Sequence, residues 1–573
     1  MDAISKLERN IYGFGLGYRH DMPPPHPDPL APLRYSCLMW ADHLLSQGVM
    51  PLLYDVPYEF LTGSFLRWLE SLSLMGDVRP ITESIVKLLH GIKSQSGLNN
   101  RLVGFLKDAK AFVDGYEFFI KLAPLQIYSS VLVLSPITSE FSKAHWRERL
   151  PCIKAMTEPL DTSSTWCSYR NSKRVGEGKD WDGDTNLVLS PAGNKLVSRH
   201  NRHSYDWVNV YTTWTSDKEY KGVKSIIRLW DTATGKLLKV VDKCLGTDNY
   251  YPEKDPLVAF SPDSKMLAFV NESGIVVCDT ATGENLHVLE AGDTDRRFWL
   301  WSLAFSPNSK MLVLSSYYLR DGCVTEVWDL TTCVRLRKLL PAWNIVAVIS
   351  PNAKMVAAVR ISTYEGDSES SAQLWNISTG EVRAVTTGQA VTSAIVFSPD
   401  ETMFASVGLD TSVCDSLSRP SIVKVWDTVT GSCRCILRPN WKQSFHEIVF
   451  SPDSKTLASS EQDGTVRFWD LTTGGCRWSV KLPCSVENIV FSEDGRYLET
   501  NLGTISAIPA PDSSTTSGGQ ALPSCIYHKG DWIYRDGREL MWVPDRNWNV
   551  KVYGRTVMVG DRLSGLVTFI YID

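Results

Sequence analysis

The chain lacks a phosphate-binding loop, a membrane-length apolar run and any stripe of basic residues. No stretch fits G-x-x-x-x-G-K-[ST], the loop whose backbone amides cradle phosphates. Gly176-Glu-Gly178-Lys179 is the nearest fragment; it lacks the first glycine, the spacing and the hydroxyl, and reads as a linker turn. Nucleotide binding is therefore not expected. Nothing approaches the ~18 apolar residues of a membrane span. The first twenty residues mix Asp2, Lys6, Glu8, Arg9 and Arg19 with apolar positions, unlike a signal-peptide core. Lys plus Arg number 59 against 64 Asp plus Glu, a net charge of −5, so nucleic acid is not an expected partner. The 13 cysteines show no paired spacing, and the one close pair, Cys433 and Cys435, reads as neighbours in a strand. An odd, dispersed set fits a reducing compartment, so a cytoplasmic location is expected.

Signatures of catalysis are also missing. There is no nucleophile elbow, no zincin helix and no paired metal-ligand spacing. His446-Glu447 is followed by Ile-Val-Phe and fails the second ligand; His200 and His203 read as solvated histidines in an inserted loop. Asp180, Asp182 and Asp184 alternate before Asn186 faintly like a calcium loop, but with the wrong turn chemistry, and read as a polar strand start. Asn271-Glu-Ser273 and Asn376-Ile-Ser378 match a glycosylation acceptor that a cytosolic chain would not use. The expectation is no enzyme, no cofactor and no metal.

What is present is a punctuated repeat. Ser-Pro recurs at Ser190, Ser261, Ser306, Ser350, Ser398 and Ser451, at intervals of 71, 45, 44, 48 and 53 residues, with Ser492-Glu493 as a seventh copy. Proline presets the second position of a type I turn, and Asp, Asn or Ser following it fits the same turn. In phase with it runs a second turn, Asp231-Thr-Ala-Thr-Gly235, repeated from Asp279, Asn376, Asp427 and Asp470. Asx side chains bond backbone amides there and glycine closes the turn. Residues 448–480 read as one complete unit of four strands, with Gln462-Asp463-Gly464 as its inner hairpin. Units of this length built of short strands must stack on neighbours, and a period near roughly 40–45 residues points to a β-propeller. The long first interval places an insertion near 201–222.

Ahead of the repeat the period is helical. Leu61, Phe65, Trp68, Leu69 and Leu72 share a face, as do Ile81, Ile85, Leu88, Leu89 and Ile92, then Leu98, Leu102, Phe105, Leu106, Ala109 and Phe112. Gly76, Gly91 and Gly115 fall near the expected stops. The predicted organisation is a proline-rich lead-in over 1–32, a helical bundle over 33–135, a linker over 136–164 and a propeller over 165–573.

Trp230-Asp231, Trp328-Asp329, Trp426-Asp427 and Trp469-Asp470, with Cys278-Asp279 and Trp375-Asn376 as worn copies, resemble the WD-repeat propellers. The resemblance implies a mainly β fold behind an α-helical N-terminal domain. The Gly-His pair of that family is absent, so hydrophobic packing is expected to replace its hydrogen-bond network. Eight blades are favoured, with seven the alternative: Leu540–Pro544, Thr556–Val559 and Leu566–Ile572 read as a cryptic last blade whose outer strand is supplied by Thr165–Arg170. The strings Tyr35–Trp40, Phe65–Gly76, Phe105–Lys110 and Ala123–Tyr128 resemble the helical segment of fungal NACHT and WD-repeat proteins. That resemblance implies a STAND-type signalling system of self/non-self recognition. The chain would be its sensing or scaffolding propeller without the NACHT module, either acting with a NACHT-type NTPase in trans or as a remnant: a truncated relative, a partial gene model or a stand-alone adaptor.

Candidate contact residues cluster around two blades. Trp299 and Trp343 each lie seven residues before a turn serine, and Tyr317, Tyr318, Arg320 and Tyr364 fall in or beside the hairpins expected on the same rim; Arg296, Arg297 and Trp441 join them. Aromatic and Arg groups are the usual anchors of protein interfaces; the plainer reading is tryptophans wedged between blades. The function expected is a scaffold binding a protein or peptide. The rivals are an adaptor of another complex, such as a ubiquitin ligase or organelle-fission machinery, and a propeller enzyme.

Overall fold

The computed structural model describes residues 6–17, 23–46, 55–93, 100–135, 139–156, 183–206, 219–245, 258–271, 274–289, 298–318, 322–339, 345–360, 371–386, 390–409, 421–439, 445–486, 489–507, 526–543, 548–561 and 567–573. The chain divides into two units, 1–181 with 526–573, and 182–525. The strand-built span expected over 165–573 is thus shared between them.

Among the described residues of the first unit the long helices are α1 (Arg34–Ser46), α2 (Asp55–Leu74), α3 (Arg79–Lys93) and α4 (Asn100–Leu122), followed by two short ones, Ser130–Val133 and Glu140–His145, the latter within the span expected as linker. The apolar stripes read from the sequence form their core: Leu61, Phe65, Trp68, Leu69, Leu72, Ile81, Ile85, Phe105 and Phe112 are all buried. Gly76 follows the end of α2 at φ 86°, but Gly91 lies inside α3. Gly115 lies inside α4, beside the one non-helical residue of that helix, Tyr116. The stripes decide these helices, because packing of an apolar face outweighs the weak local penalty of one glycine.

Two sheets belong to this same unit. Ile526–Lys529, Trp532–Arg535 and Arg538–Trp542 form one; Trp548–Tyr553, Thr556–Asp561, Val567–Ile572 and Ile153–Met156 form the other. This corrects the expected last blade. Leu540 and its neighbours belong to the separate three-stranded sheet, and the fourth strand is Ile153–Met156, with Ile153 opposite Ile572. Thr165–Arg170 lies outside the described residues. Burial explains the choice: Ile153 is fully buried among Val557, Val559 and Ile570. Trp532 and Trp542 enter the helical core, with the Trp542 ring 4.9 Å from Phe119. The Trp542 amide donates to Gln126 Oε1 at 2.9 Å and Ser130 Oγ at 2.8 Å.

The N-terminal segment is fastened to the same core by a buried acid. Glu70 is 1% exposed; its Oε1 accepts the Asn10 amide at 2.8 Å and its Oε2 the Tyr128 hydroxyl at 2.7 Å. Burial pushes its pKa up from 4.5 to about 7, against the opposing pull of Tyr128, the Asn10 amide and Arg9. A pKa raised by folding means that stability is full below about 4.5 and is lost as pH rises through about 7. The calorimetric transition of this unit is expected to move to lower temperature as pH rises from about 4.5 to about 7, and a Glu70→Gln chain to lose that slope.

Among the described residues the second unit contains seven antiparallel sheets in chain order, over 183–245, 258–289, 298–339, 345–386, 390–437, 445–481 and 490–506. Each runs strand to neighbouring strand, and the first strands of the second to seventh sheets lie side by side in succession. Apolar clusters span neighbouring sheets; one joins Leu457 and Phe450 of the sixth to Val423 and Met403 of the fifth. Mainly β structure behind N-terminal helices, in small sheets of the WD-propeller blade kind, is the fold expected. The flanks of the expected insertion are strand, Lys195–Asp206 pairing with Glu219–Asp231, which places His200 and His203 in a strand and not a loop, with His200 buried; residues 207–218 lie outside the described residues.

Candidate functional site

The first six sheets of the second unit are held by the same two turns, and the described part of the seventh shares the first of them, at Ser492. In the second sheet, Ser261 Oγ accepts the Met266 amide at 2.8 Å and donates to Asp263 Oδ1 at 2.6 Å, while Ser264 sits at φ 59°. The same left-handed position is filled by Gly193, Ser309, Ala353, Glu401, Ser454 and Gly495. The Ser264 amide closes the turn on the Ser261 carbonyl at 2.8 Å, and the Ser261 amide bonds the Met266 carbonyl, so the turn lies within a hairpin loop of four residues, 262–265. Serine is needed because only a short hydroxyl reaches both partners.

The Trp-Asp end carries the other constraint. Trp230, Trp426 and Trp469 donate Nε1–H to Ser198, Ser406 and Ser459 at 2.8, 3.1 and 2.9 Å. Hydrophobic packing therefore does not act alone, as the missing Gly-His pair suggested: a Trp–Ser bond in each of these sheets keeps a buried indole donor satisfied. Asp231 Oδ1 accepts the Thr234 amide at 2.9 Å, and Lys195 Nζ is 2.7 Å from its Oδ2. Burial raises the Asp231 pKa, but the hydrogen bonds from Lys195 and Thr234 outweigh it and bring it to about 2.

These turns leave the opposite end of each sheet free to vary. The cross-strand registers define that leading end, where the first strand starts and the second finishes: Phe298 faces Tyr318, Ile345 faces Arg360, Ala390 faces Leu409 and Phe445 faces Glu461. In the third sheet it is aromatic, because the next pair inward is Trp299 with Tyr317. The register shifts between Leu300 and Ser302, leaving Trp301 out of step in a strand that otherwise pairs regularly down to Phe305. Of the nine candidate residues, the structure brings together Trp299, Tyr317 and Tyr318 on adjacent strands. Arg296, Arg297, Arg320, Trp343, Tyr364 and Trp441 lie outside the described residues.

Two buried acids in this unit escaped the sequence reading. Glu461 is fully buried at the leading end of the sixth sheet and pairs with Arg467 Nε. Burial pushes its pKa up, Arg467 pulling the other way. Glu326 is fully buried in the third sheet, 2.7 Å from Arg335 Nη1. Period-two patterning exposed neither, since each acid occupies a position the pattern assigns to the inside. Both carboxylates are bound to arginine, which fits a structural role better than proton transfer. Among the described residues no group of three or more His, Cys, Asp or Glu side chains could hold a metal ion, and no helix is long and apolar enough to cross a membrane.

A family profile described as "WD domain, G-beta repeat" matches residues 431–470, which end on Trp469-Asp470. The chain carries a WD repeat. Two relatives resemble the WD-repeat chain in sequence. Vegetative incompatibility protein HET-E-1 of Podospora anserina is 37% identical over 155 residues, 25% of this chain and 11% of that protein. Autophagy-related protein 16 of Arabidopsis thaliana is 25% identical over 295 residues, 50% of this chain and 51% of that protein. The chain thus spans a tenth and a half of the lengths of these relatives. Among solved structures, the computationally designed Ika8 protein is similar at 19% identity and a TM-score of 0.39, covering 69% of this chain and 98% of its own.

Proposed function

We propose that this WD-repeat chain is a non-enzymatic scaffold that binds a protein or peptide across the leading ends of its third and fourth sheets. The observation that carries the reading is the aromatic register Phe298–Tyr318 and Trp299–Tyr317 at one sheet end, while the Ser-Pro turns occupy the other. Large aromatic groups on a stiff backbone bind with little loss of side-chain freedom. Arg296, Arg297, Arg320, Trp343, Tyr364 and Trp441 belong to the same proposed patch.

Within that role, the chain is the sensing or scaffolding propeller of a fungal NACHT and WD-repeat system, working in the cytoplasm with a NACHT-type NTPase. The partial likeness to a vegetative incompatibility protein supports this. A second reading, an adaptor of another complex such as a ubiquitin ligase or organelle-fission machinery, draws on the likeness to autophagy-related protein 16 over half the chain.

Affinity capture with the full chain and a Trp299→Ala/Tyr317→Ala chain, compared by quantitative mass spectrometry, tests the patch. Removing two anchors of about 2 kcal/mol each lowers binding by about a thousandfold, so the main captured protein is expected to disappear. Undiminished capture by the double variant contradicts the patch, and stoichiometric ATP binding by these 573 residues in equilibrium dialysis contradicts a scaffold without nucleotide chemistry of its own.

A further inference from the structure

The second unit repeats a joint between neighbouring sheets. The residue that closes the Asp-x-x-Thr-Gly turn of one sheet abuts the fourth strand of the sheet before it: a side chain at Gly283 would meet Lys239 at 2.9 Å, one at Gly380 would meet Arg337 at 3.6 Å, and one at Gly474 would meet Cys435 at 3.4 Å. Those three glycines have φ between 70° and 76°. The joint between the second and third sheets departs from this. Its turn reads Asp329-Leu-Thr-Thr-Cys333, and Cys333 takes the left-handed conformation at φ 57°. Cysteine bears there the steric penalty that glycine avoids.

The abutting fourth strand, Asn285–Leu289, presents His287 at this place, and Cys333 Sγ lies 2.9 Å from His287 Nδ1. Cys333 is exposed and His287 half-buried, so the sulfur is open to solvent while the ring is held by its strand. An accessible thiol hydrogen-bonded to an imidazole is the arrangement that activates a sulfur nucleophile. Among the described residues the other exposed cysteines lack an imidazole partner: Cys433 Sγ is directed at the Cys435 carbonyl, and Cys476 Sγ at the Trp478 carbonyl, with the Arg467 side chain beside it.

We propose that Cys333 and His287 form a covalent modification site that takes low-molecular-weight disulfides by thiol–disulfide exchange. His287 Nδ1 accepts the thiol proton as Sγ attacks one sulfur of the disulfide. The new bond joins Sγ to that sulfur, the original S–S bond breaks, and the departing thiolate takes the proton from the imidazolium. One thiol and one disulfide give one mixed disulfide and one thiol, with no other oxidant required. The modified group would sit at a joint between two sheets, where added bulk bears on their packing.

The test treats the intact chain with glutathione disulfide and follows each cysteine by peptide mass spectrometry, using Cys433 and Cys476 as references inside the same molecule. Cys333 is expected to form the mixed disulfide at least about tenfold faster than either reference, the size of a modest general-base effect. A His287→Gln chain is expected to bring Cys333 down to the reference rate while leaving Cys433 and Cys476 unchanged. Equal rates at the three cysteines, or a Cys333 rate indifferent to His287→Gln, overturns the proposal. Cys333→Gly, which installs the residue used at the other joints, keeps the fold intact and is expected to abolish the fast-reacting thiol.

Discussion

Deleting residues 526–573 is expected to unfold the N-terminal helical segment, although some four hundred residues of chain separate the two. The deletion removes Trp532 and Trp542 from the helical core and strips Ile153, Val133, Leu134 and Leu150 of their cover. Each fully buried apolar side chain is worth about 1.5–3 kcal/mol, and a domain has only about 5–15 kcal/mol in total. Gln126 and Ser130 lose the backbone donor supplied by Trp542, and Ile153–Met156 loses its only described sheet partner. In hydrogen exchange read by mass spectrometry, peptides from α2 and α4 are expected to lose protection in the shortened chain, while sheets over 183–506 keep theirs. Protection retained in α2 and α4 would mean that the helices form a bundle complete in itself, as the sequence suggests.

Trp68→Ala is expected to have the largest effect of any single substitution. Trp68 is fully buried in α2, its Nε1 donates to the Cys37 carbonyl at 2.8 Å, and its ring meets Trp40 and Phe65 edge-on at 5.3 and 5.7 Å. Truncating a buried tryptophan costs about 3–5 kcal/mol, because neighbours only partly refill the cavity. Trp68→Phe keeps most of the packing and forfeits the indole donor, so a smaller loss, about 1–2 kcal/mol, is expected. With two units in the chain a single melting curve is not a two-state measurement. Exchange rates of α2 and α3 amides under native conditions separate the effect on this unit from the rest.

The repeat was legible because its signals are local. The Ser-Pro turn, the Asx turn and the Asp463-Gly464 hairpin each act within six residues, and the strands read at 448–480 correspond to Phe445–Phe450, Thr456–Glu461, Thr465–Asp470 and Cys476–Lys481. The helical stripes were legible for the same reason. Partnership across long separations was not: Ile153-Lys-Ala-Met156 carries four residues of weak pattern, and nothing near it indicates that its partner is Val567–Ile572. Gly91 and Gly115 misled because a glycine signals a stop only when the apolar stripe ends with it. At the candidate site, sequence spacing placed Trp299 and Tyr317 at one sheet end, and the register makes them direct partners. The Cys333–His287 pair was hidden, since 46 residues separate its members and the joint that unites them belongs to the stacking of sheets.

The most direct test of the scaffold is photo-crosslinking from each end of the third sheet. A benzoylphenylalanine is placed at position 317, at the aromatic leading end, and in a second chain at position 307, in the exposed Ser-Pro turn at the opposite end. The account predicts one discrete protein adduct from position 317 and none from position 307; adducts from position 307 alone, or the same adducts from both, would contradict it.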